Sequence, residues 1–432
     1  MKSTDRVMNG WQLVCFSCLS APLAMVGFAV VSFVPTFYAI DMELGLAVVG
    51  GVFMFGRFFD VFTDPLIGAL SDRTGGARGP RLPWMLFSFP AVLLFAWLLL
   101  SPSDNVGPIY LFCALSGYLL SVTAFDVPYS SIGLEISPYP HERSVLAGTK
   151  AVFQILGALA ASLAPVIIGT QMGLSLSSLV LIFLASMPLA MAAFLIWTPR
   201  HANPSDQAHP GVLNSWRACL RKNTFRKLMI AFFLVQAANA MTVGLLVLFV
   251  THVLQTPEMV GQMFLMLLLA TAFFVPLWVL LSKKVGKRRT WTIAIVFGAV
   301  LLAVSYTVGA RETLLMQVIC IGLGGCMTCD AVMPTSILAD IVAQDEADSG
   351  HPWAASYLAL KNAGSKMAFV APMGVAFPVL GWAGFDKSAT GSPEALSLLV
   401  FFFAGLPCLL RLSVSLFLWR KVEDLTEAAP AT

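Results

Sequence analysis

Apolar residues along this chain come in long runs instead of alternating with polar ones. Twelve runs follow one another, near 11–37, 46–70, 82–102, 107–133, 145–170, 174–197, 225–253, 258–282, 290–309, 312–338, 354–382 and 395–419. Roughly 20 apolar residues at about 1.5 Å each cross a hydrocarbon core, so every run predicts one membrane-spanning α-helix. The longest polar stretch, 198–224, is rich in His, Pro, Asn, Ser, Arg and Lys and reads as a linker. The expected fold class is therefore an all-α membrane protein of twelve transmembrane helices, with an N-terminal six-helix bundle over 1–197 and a C-terminal one over 225–432. The start, MKSTDRVMNG, lacks a small-residue cleavage site after a short apolar region, so the first run is expected to be a retained span.

Composition sharpens this picture. Of 432 residues, 58% are hydrophobic and 11% charged, against about 45–50% and about 25% in soluble domains, which excludes an ordinary soluble enzyme. The net charge of +3 is too small to point to a nucleic-acid partner. Its placement is more informative. Lys and Arg gather in alternate loops, at Lys2, Arg73, Arg143, Arg200, Lys283 and Arg420 among others, while the opposite loops hold little more than Arg311 and Lys387. Basic residues resist translocation, so both termini and the linker are expected in the cytoplasm, and an even number of spans is required. Seven of the eight cysteines lie in apolar runs. The Cys326–Cys329 spacing lacks a second pair or a nearby His to complete a zinc set, and reads as helix packing.

An internal echo supports two related halves. Aligning Ser71 in LSDRTGGARGPR with Ser282 in LSKKVGKRR places Pro65 on Pro276 and Leu66 on Leu277, as in transporters built from structural repeats. Under the same alignment Asp60 meets Thr271 and Asp64 meets Val275, so the first half keeps acids where the second does not.

Ionisable groups inside spans carry most of the functional weight, because a charge at the membrane centre costs about 2.5–3.5 kcal/mol even on the gentler insertion scale. The second span holds Arg57, Asp60 and Asp64 in GRFFDVFTDPLIGALSDR, on one helical face by spacings of three and four. With Thr63 they offer the hard oxygen ligands of a small cation. Alternatively the two carboxylates share a proton, or Arg57 and Asp60 form a structural pair while Asp64 caps the helix before Pro65. In the fourth span, Thr123 lies twelve residues before Glu135, as Asp60 lies twelve before Asp72, so Thr123 is expected level with Asp60, and Asp126 near Asp64. Lys150 in the fifth span and Lys366, deep in the eleventh, are the cationic counterparts. Lys361 is expected to snorkel outward, and Asp330 and Arg411 either pair with each other or mark a solute path.

The R-x-x-D-x-x-x-D-P-x-x-G pattern of the second span, D-V-P-Y in the fourth, and LADIVAQDEADSG followed by a membrane lysine resemble the glycoside-pentoside-hexuronide cation symporters of the major facilitator superfamily, the melibiose permease family. The resemblance runs over nearly the whole chain in span order. It implies the major facilitator fold and alternating access, with Asp60, Asp64 and Thr123 holding the coupling Na+ or H+ and Thr63 standing where melibiose permease has an asparagine. It places Asp126 at the family's sugar-binding aspartate, Lys366 at the lysine linking the halves, and Lys150 at a family arginine. The glycine-rich loop resembles the superfamily's gating loop. Arg57, Asp72, Arg73, Arg78, Arg81 and the acidic end of the tenth span at Asp340 are the expected gating charges.

The departures bear on the solute. The first span carries no acid where that permease has a sugar-binding aspartate, and offers only Ser17, Ser20 and Ser32. Ser130 stands in place of a stacking tryptophan, with Tyr129 adjacent. Gln154, Gln236 and Asn239 supply further hydrogen-bonding groups, or else act as glue between helices. The expectation is a cation-coupled symporter of a sugar, glycoside or uronate. A lysophospholipid or other organic anion is the alternative, since the lysophospholipid symporters of the same superfamily keep paired aspartates with a more apolar cavity. The expected partners are this solute, a monovalent cation and membrane lipid around a monomer in a bacterial inner membrane. No cofactor beyond the coupling ion is expected. An enzyme or assembly factor on the same fold would need a metal-ligand cluster or a nucleophile with its base, which the sequence does not offer.

Overall fold

The computed structural model describes residues 8–73, 81–103, 106–136, 140–168, 172–199, 212–349, 354–385 and 393–420. Among them there is helix and no strand. Eleven helices are long and apolar enough to cross a membrane: Gly10–Ser32, Leu46–Gly68, Leu82–Leu100, Pro108–Gly133, Val145–Ile168, Met172–Trp197, Asn223–Val253, Lys287–Ser305, Thr313–Asp345, Ser356–Trp382 and Pro393–Trp419. A bent pair, Pro257–Phe273 and Val275–Val285, makes the remaining span, the eighth, with 44° between its pieces. The bend sits at Phe274, two residues before Pro276, whose missing N–H and ring break the helical ladder.

The chain divides into two compact units, Met1–Gln207 and Ala208–Thr432. Each is built the same way. In the first unit, span one packs on spans five and six, span two on span four, and span three on spans four and six. In the second, span seven packs on spans eleven and twelve, span eight on span ten, and span nine on spans ten and twelve. Each of these pairings has its counterpart six spans later. Wide π-type turns also close the first and seventh spans alike, at Phe37–Asp41 and Phe249–Val253.

Local chemistry fixes the ends of these elements. Asn9 and Gln12 form a reciprocal capping box at the start of span one, and the Met8 N–H donates to Glu142 Oε1 at 2.7 Å, tying this end to the fifth helix. Spans one and five come together at Gly157, where a Cβ would lie 2.0 Å from the Ala21 carbonyl oxygen, so only glycine fits. In the second unit, Trp291, Phe225, Tyr357 and Trp278 anchor the core, and the Trp278 indole donates to the Gly325 carbonyl at 2.7 Å.

The tenth helix differs from expectation. It runs without interruption over Thr313–Ser349, well past residue 338. The polar tail LADIVAQDEADS contains no Gly or Pro, and two of its acids find cations on neighbouring elements. Asp340 pairs with Lys287 at 2.6 Å and Asp345 with Lys222 at 2.6 Å, and Tyr357 donates to Asp345 at 2.8 Å. An amphipathic linker helix, Val212–Arg221, seats Cys219 in this cluster. Burial and the Asp345 carboxylate push the Cys219 thiol up to about 11. All eight cysteines are free, and Cys326 and Cys329 are buried as helix-packing residues.

Candidate functional site

In the first unit the second helix, Leu46–Arg73, packs on the fourth, Pro108–Glu135, with Arg57, Asp60 and Asp64 near that contact. Asp60 is 2% exposed, and its Oδ2 lies 3.4 Å from Arg57 Nη1, one turn back. One turn forward, Asp64 Oδ1 accepts a hydrogen bond from Thr123 Oγ1 of the fourth span at 3.1 Å. The buried Thr63 hydroxyl donates to the Asp60 backbone carbonyl at 3.3 Å. Both threonine hydroxyls thus spend their proton within the protein and keep lone pairs for a cation. This face carries two carboxyl groups and one guanidinium. Tyr118, buried on the fourth span, stands within electrostatic reach of Arg57 and Asp60. The sequence reading had not singled it out.

A second cluster lies on the same helix, beyond Thr123. Asp126 Oδ1 accepts from Lys150 Nζ at 3.3 Å and from Ser130 Oγ at 3.4 Å, and Lys150 also donates to Ser130 at 2.7 Å. The ammonium sits 4.3 Å from the centre of the Tyr129 ring, a cation–π contact. Tyr129 itself is fully buried. It stacks on Phe16, its hydroxyl donates to the Phe16 carbonyl at 2.7 Å, and Ser20 lies at 3.1 Å. Asp126 is 45% exposed, and Gln154, one turn beyond Lys150, is exposed as well. Ser17, Ser20 and Ser32 of the first span are all buried, so none presents a hydroxyl for a solute.

The second unit holds a different arrangement. Asp330 of the tenth span and Arg411 of the twelfth are 0% and 1% exposed and pair at 2.7 Å. Asn239 Nδ2 donates to the same carboxylate oxygen at 3.1 Å and its own Oδ1 accepts from Arg411, while the Trp291 indole donates to the other carboxylate oxygen at 3.1 Å. From Asn239 the chain of bonds continues to Gln236 Oε1 at 3.2 Å, and from Gln236 Nε2 to Ser365 Oγ at 3.3 Å. Arg411 packs flat against Gly298, where a Cβ would stand 2.7 Å from Nη1. Of the two readings left open for Asp330 and Arg411, the structure has them paired. Trp291 and Ser365 were missed, although a buried acid and a buried indole each require a partner.

Lys366 is half-buried on the eleventh helix, one residue after Ser365. Lys361 does not snorkel away as expected. Its ammonium bonds Thr335 Oγ1 of the tenth span at 2.7 Å and lies 5.4 Å from the centre of the Phe232 ring. Among the expected gating charges, Arg57 is engaged with Asp60 and Asp340 with Lys287 of its own unit. Arg81 stands at the N-cap of the third span. Asp72 and Arg73 are described in backbone only, as the end of the second helix, and Arg78 lies outside the described residues.

Comparison with known proteins places this geometry in context. Residues 15–422 match the family described as MFS/sugar transport protein. The sodium-dependent lysophosphatidylcholine symporter 1 of Mus musculus is 23% identical over 427 residues, covering 88% of this chain and 79% of its own. Its relative 1-A of Danio rerio is 23% identical over 439 residues, covering 91% and 82%. Among solved structures, the nucleoside transporter NupG superposes with a TM-score of 0.70 at 12% identity, covering 95% of this chain and 99% of its own. A bacterial homologue of the lysosomal transporter Spinster superposes with a TM-score of 0.69 at 14% identity, covering 95% and 96%. These likenesses establish the major facilitator fold.

Proposed function

The chain belongs to the MFS/sugar transport protein family, and from that premise we propose that it is a cation-coupled symporter whose cation site is Asp60, Asp64 and Thr123, with Thr63 adjacent. The observation that carries this reading is the Thr123–Asp64 bond, which brings a hydroxyl and a carboxylate of two spans together one turn from a buried acid. Desolvated carboxylates are tolerated at such a depth when a cation or a proton neutralises them during each cycle. Sodium is the proposed ion, supported by the hard oxygen donors and by the sodium-dependent relatives. Arg57, one turn back, is the positive partner of Asp60 in this site.

The proposed solute contacts are Asp126, Lys150 and Gln154 in the first unit and Gln236, Asn239 and Lys366 in the second, with Tyr129 as the buried platform beneath Lys150. A sugar, glycoside or uronate is one reading of this set. A lysophospholipid is the other, and two observations favour it: the named relatives, and the burial of every serine of the first span, which removes hydroxyl-binding groups from that helix. The protein is an integral membrane protein, and we place it in a bacterial inner membrane with both termini in the cytoplasm, acting as a monomer.

The test is a thermal-shift titration of the purified chain with NaCl against KCl, followed by uptake of glucuronate and of lysophosphatidylcholine into proteoliposomes under a sodium or a pH gradient. Stabilisation specific to sodium and gradient-driven accumulation of one solute are the expected results. Absence of any gradient dependence would remove the symport assignment.

A further inference from the structure

The two units handle their membrane lysines differently. In each, a lysine of the fifth helix of the unit reaches a hydroxyl on the fourth helix and lies over an aromatic ring. In the first unit these are Lys150, Ser130 and Tyr129, and in the second Lys361, Thr335 and Phe232. The first trio includes a counter-charge, Asp126, at 3.3 Å. The second does not: among the described residues no carboxylate pairs with Lys361, because Asp330 is committed to Arg411 and Asp340 to Lys287. The Thr335 hydroxyl donates its own proton to the Ala331 carbonyl at 2.7 Å, so it serves Lys361 as an acceptor. An ammonium has three donors, and this one gives a single hydrogen bond within the protein.

The surroundings of Lys361 are built for a polar guest. Phe232, Gln236 and Asn239 share one face of the seventh helix by spacings of four and three, and Lys361 and Ser365 share one face of the eleventh. Gln236 and Ser365 bond each other across this pair of helices, one turn from Lys361. The lysine–threonine contact is exposed, so the ammonium is not sealed inside the unit. A half-buried cation held in place without a counter-ion favours an anion, and one supplied by the solute gains strength from the desolvation of the site.

We infer that Lys361, seated by Thr335 and Phe232, is the anion-recognition point of the C-terminal unit and binds a carboxylate or phosphate group of the transported solute. This deepens the symport reading and rests on it. The two sources of such a group are a sugar acid and a lysophospholipid head group, and matched probes distinguish them.

The test uses the full chain purified in detergent with NaCl held constant. Thermal-shift affinities are measured for glucuronate against glucose and for lysophosphatidylglycerol against monoacylglycerol. In the wild type, the charged member of one pair is expected to bind about tenfold or more tightly than its neutral partner, the size of one charge-assisted hydrogen bond. Lys361→Gln should erase that preference and leave the neutral probe unchanged, Lys361→Arg should keep it, and Thr335→Ala should weaken it. The pair that responds identifies the source. The inference is overturned if neither pair discriminates, if Lys361→Gln keeps the preference, or if it weakens charged and neutral probes alike. A parallel sodium titration separates the two claims. Loss of sodium stabilisation in the wild type defeats the symport reading, whereas sodium stabilisation without an anion preference defeats this one alone.

Discussion

The first unit leaves an acid of its membrane spans, Asp126, partly exposed, whereas the second seals its own, Asp330, against Arg411. Asp330 accepts from Arg411, Asn239 and Trp291 with both of its oxygens used, at 0% exposure. Asp60 instead faces Arg57, Asp64 accepts from Thr123, and Asp126 accepts from Lys150 and Ser130, with side-chain exposure rising from 3% at Asp60 to 45% at Asp126. Two units of similar helices therefore set their acids in different surroundings. The buried Asp330–Arg411 pair, with Asn239 and Trp291, ties helices seven, nine, ten and twelve together, whereas the acids of the first unit stand where the proposed ion binds.

The largest effect that separates them is on stability. Removing one partner of the closed pair, by Arg411→Met or Asp330→Asn, strands a buried polar group and should cost about 3–5 kcal/mol in unfolding measured in detergent. The double variant Asp330→Leu with Arg411→Met should recover much of that loss. Gly298→Ala acts on the same pair without touching its charges. The new methyl group displaces the guanidinium and should cost about 1–3 kcal/mol, the usual range for overpacking. Single substitutions that leave unfolding unchanged would show that the pair does not hold the unit together.

The acids of the first unit should behave otherwise. Asp64→Asn and Asp60→Asn are expected to abolish cation-driven uptake and the stabilisation by sodium, about 2.7 kcal/mol at a concentration one hundred times Kd. Thr123→Val keeps the shape of the side chain and removes its oxygen. It should weaken the ion about tenfold, equivalent to about 1.4 kcal/mol, one hydrogen-bond-sized contribution. Sodium titrations of the three variants by thermal shift read these changes directly, and an unaltered response in Asp64→Asn would break the assignment.

Much of this architecture was legible in the sequence because the membrane imposes a length on each helix. The spans and the alternation of basic loops follow from apolar runs and charge placement alone. Counting rise per residue from the cytoplasmic ends put Thr123 level with Asp60; the structure brings it to the same face but bonds it to Asp64, one turn further on, while Asp126 bonds Lys150 and Ser130. What escaped were contacts decided by helix rotation. Lys361 was expected to extend outward, since its long stem permits it, but Thr335 and Phe232 on two other helices capture the ammonium. The extension of the tenth helix to Ser349 was also hidden, because its acidic tail is polar enough to read as loop until Lys287, Lys222 and Tyr357 are brought beside it. No one-dimensional pattern encodes which neighbour a side chain meets.

The smallest expected effect on stability belongs to Asp126, and it sharpens the contrast most. Its carboxylate is 45% exposed and its pairing with Lys150 spans 3.3 Å, so the pair should contribute only about 0–1 kcal/mol. Asp126→Asn is isosteric and keeps the acceptor for Ser130 and Lys150 in place. Unfolding should therefore stay close to wild type while solute binding weakens more than cation binding, as measured by parallel titrations of solute and sodium. A double-mutant cycle with Lys150→Gln then tests whether the two side chains act on the solute together. If they do, the second substitution adds little to the first. Equal loss of solute and cation affinity in Asp126→Asn would instead join this cluster to the Asp60–Asp64 face as one site, because a carboxylate that serves only the solute has no reason to change the affinity for the ion.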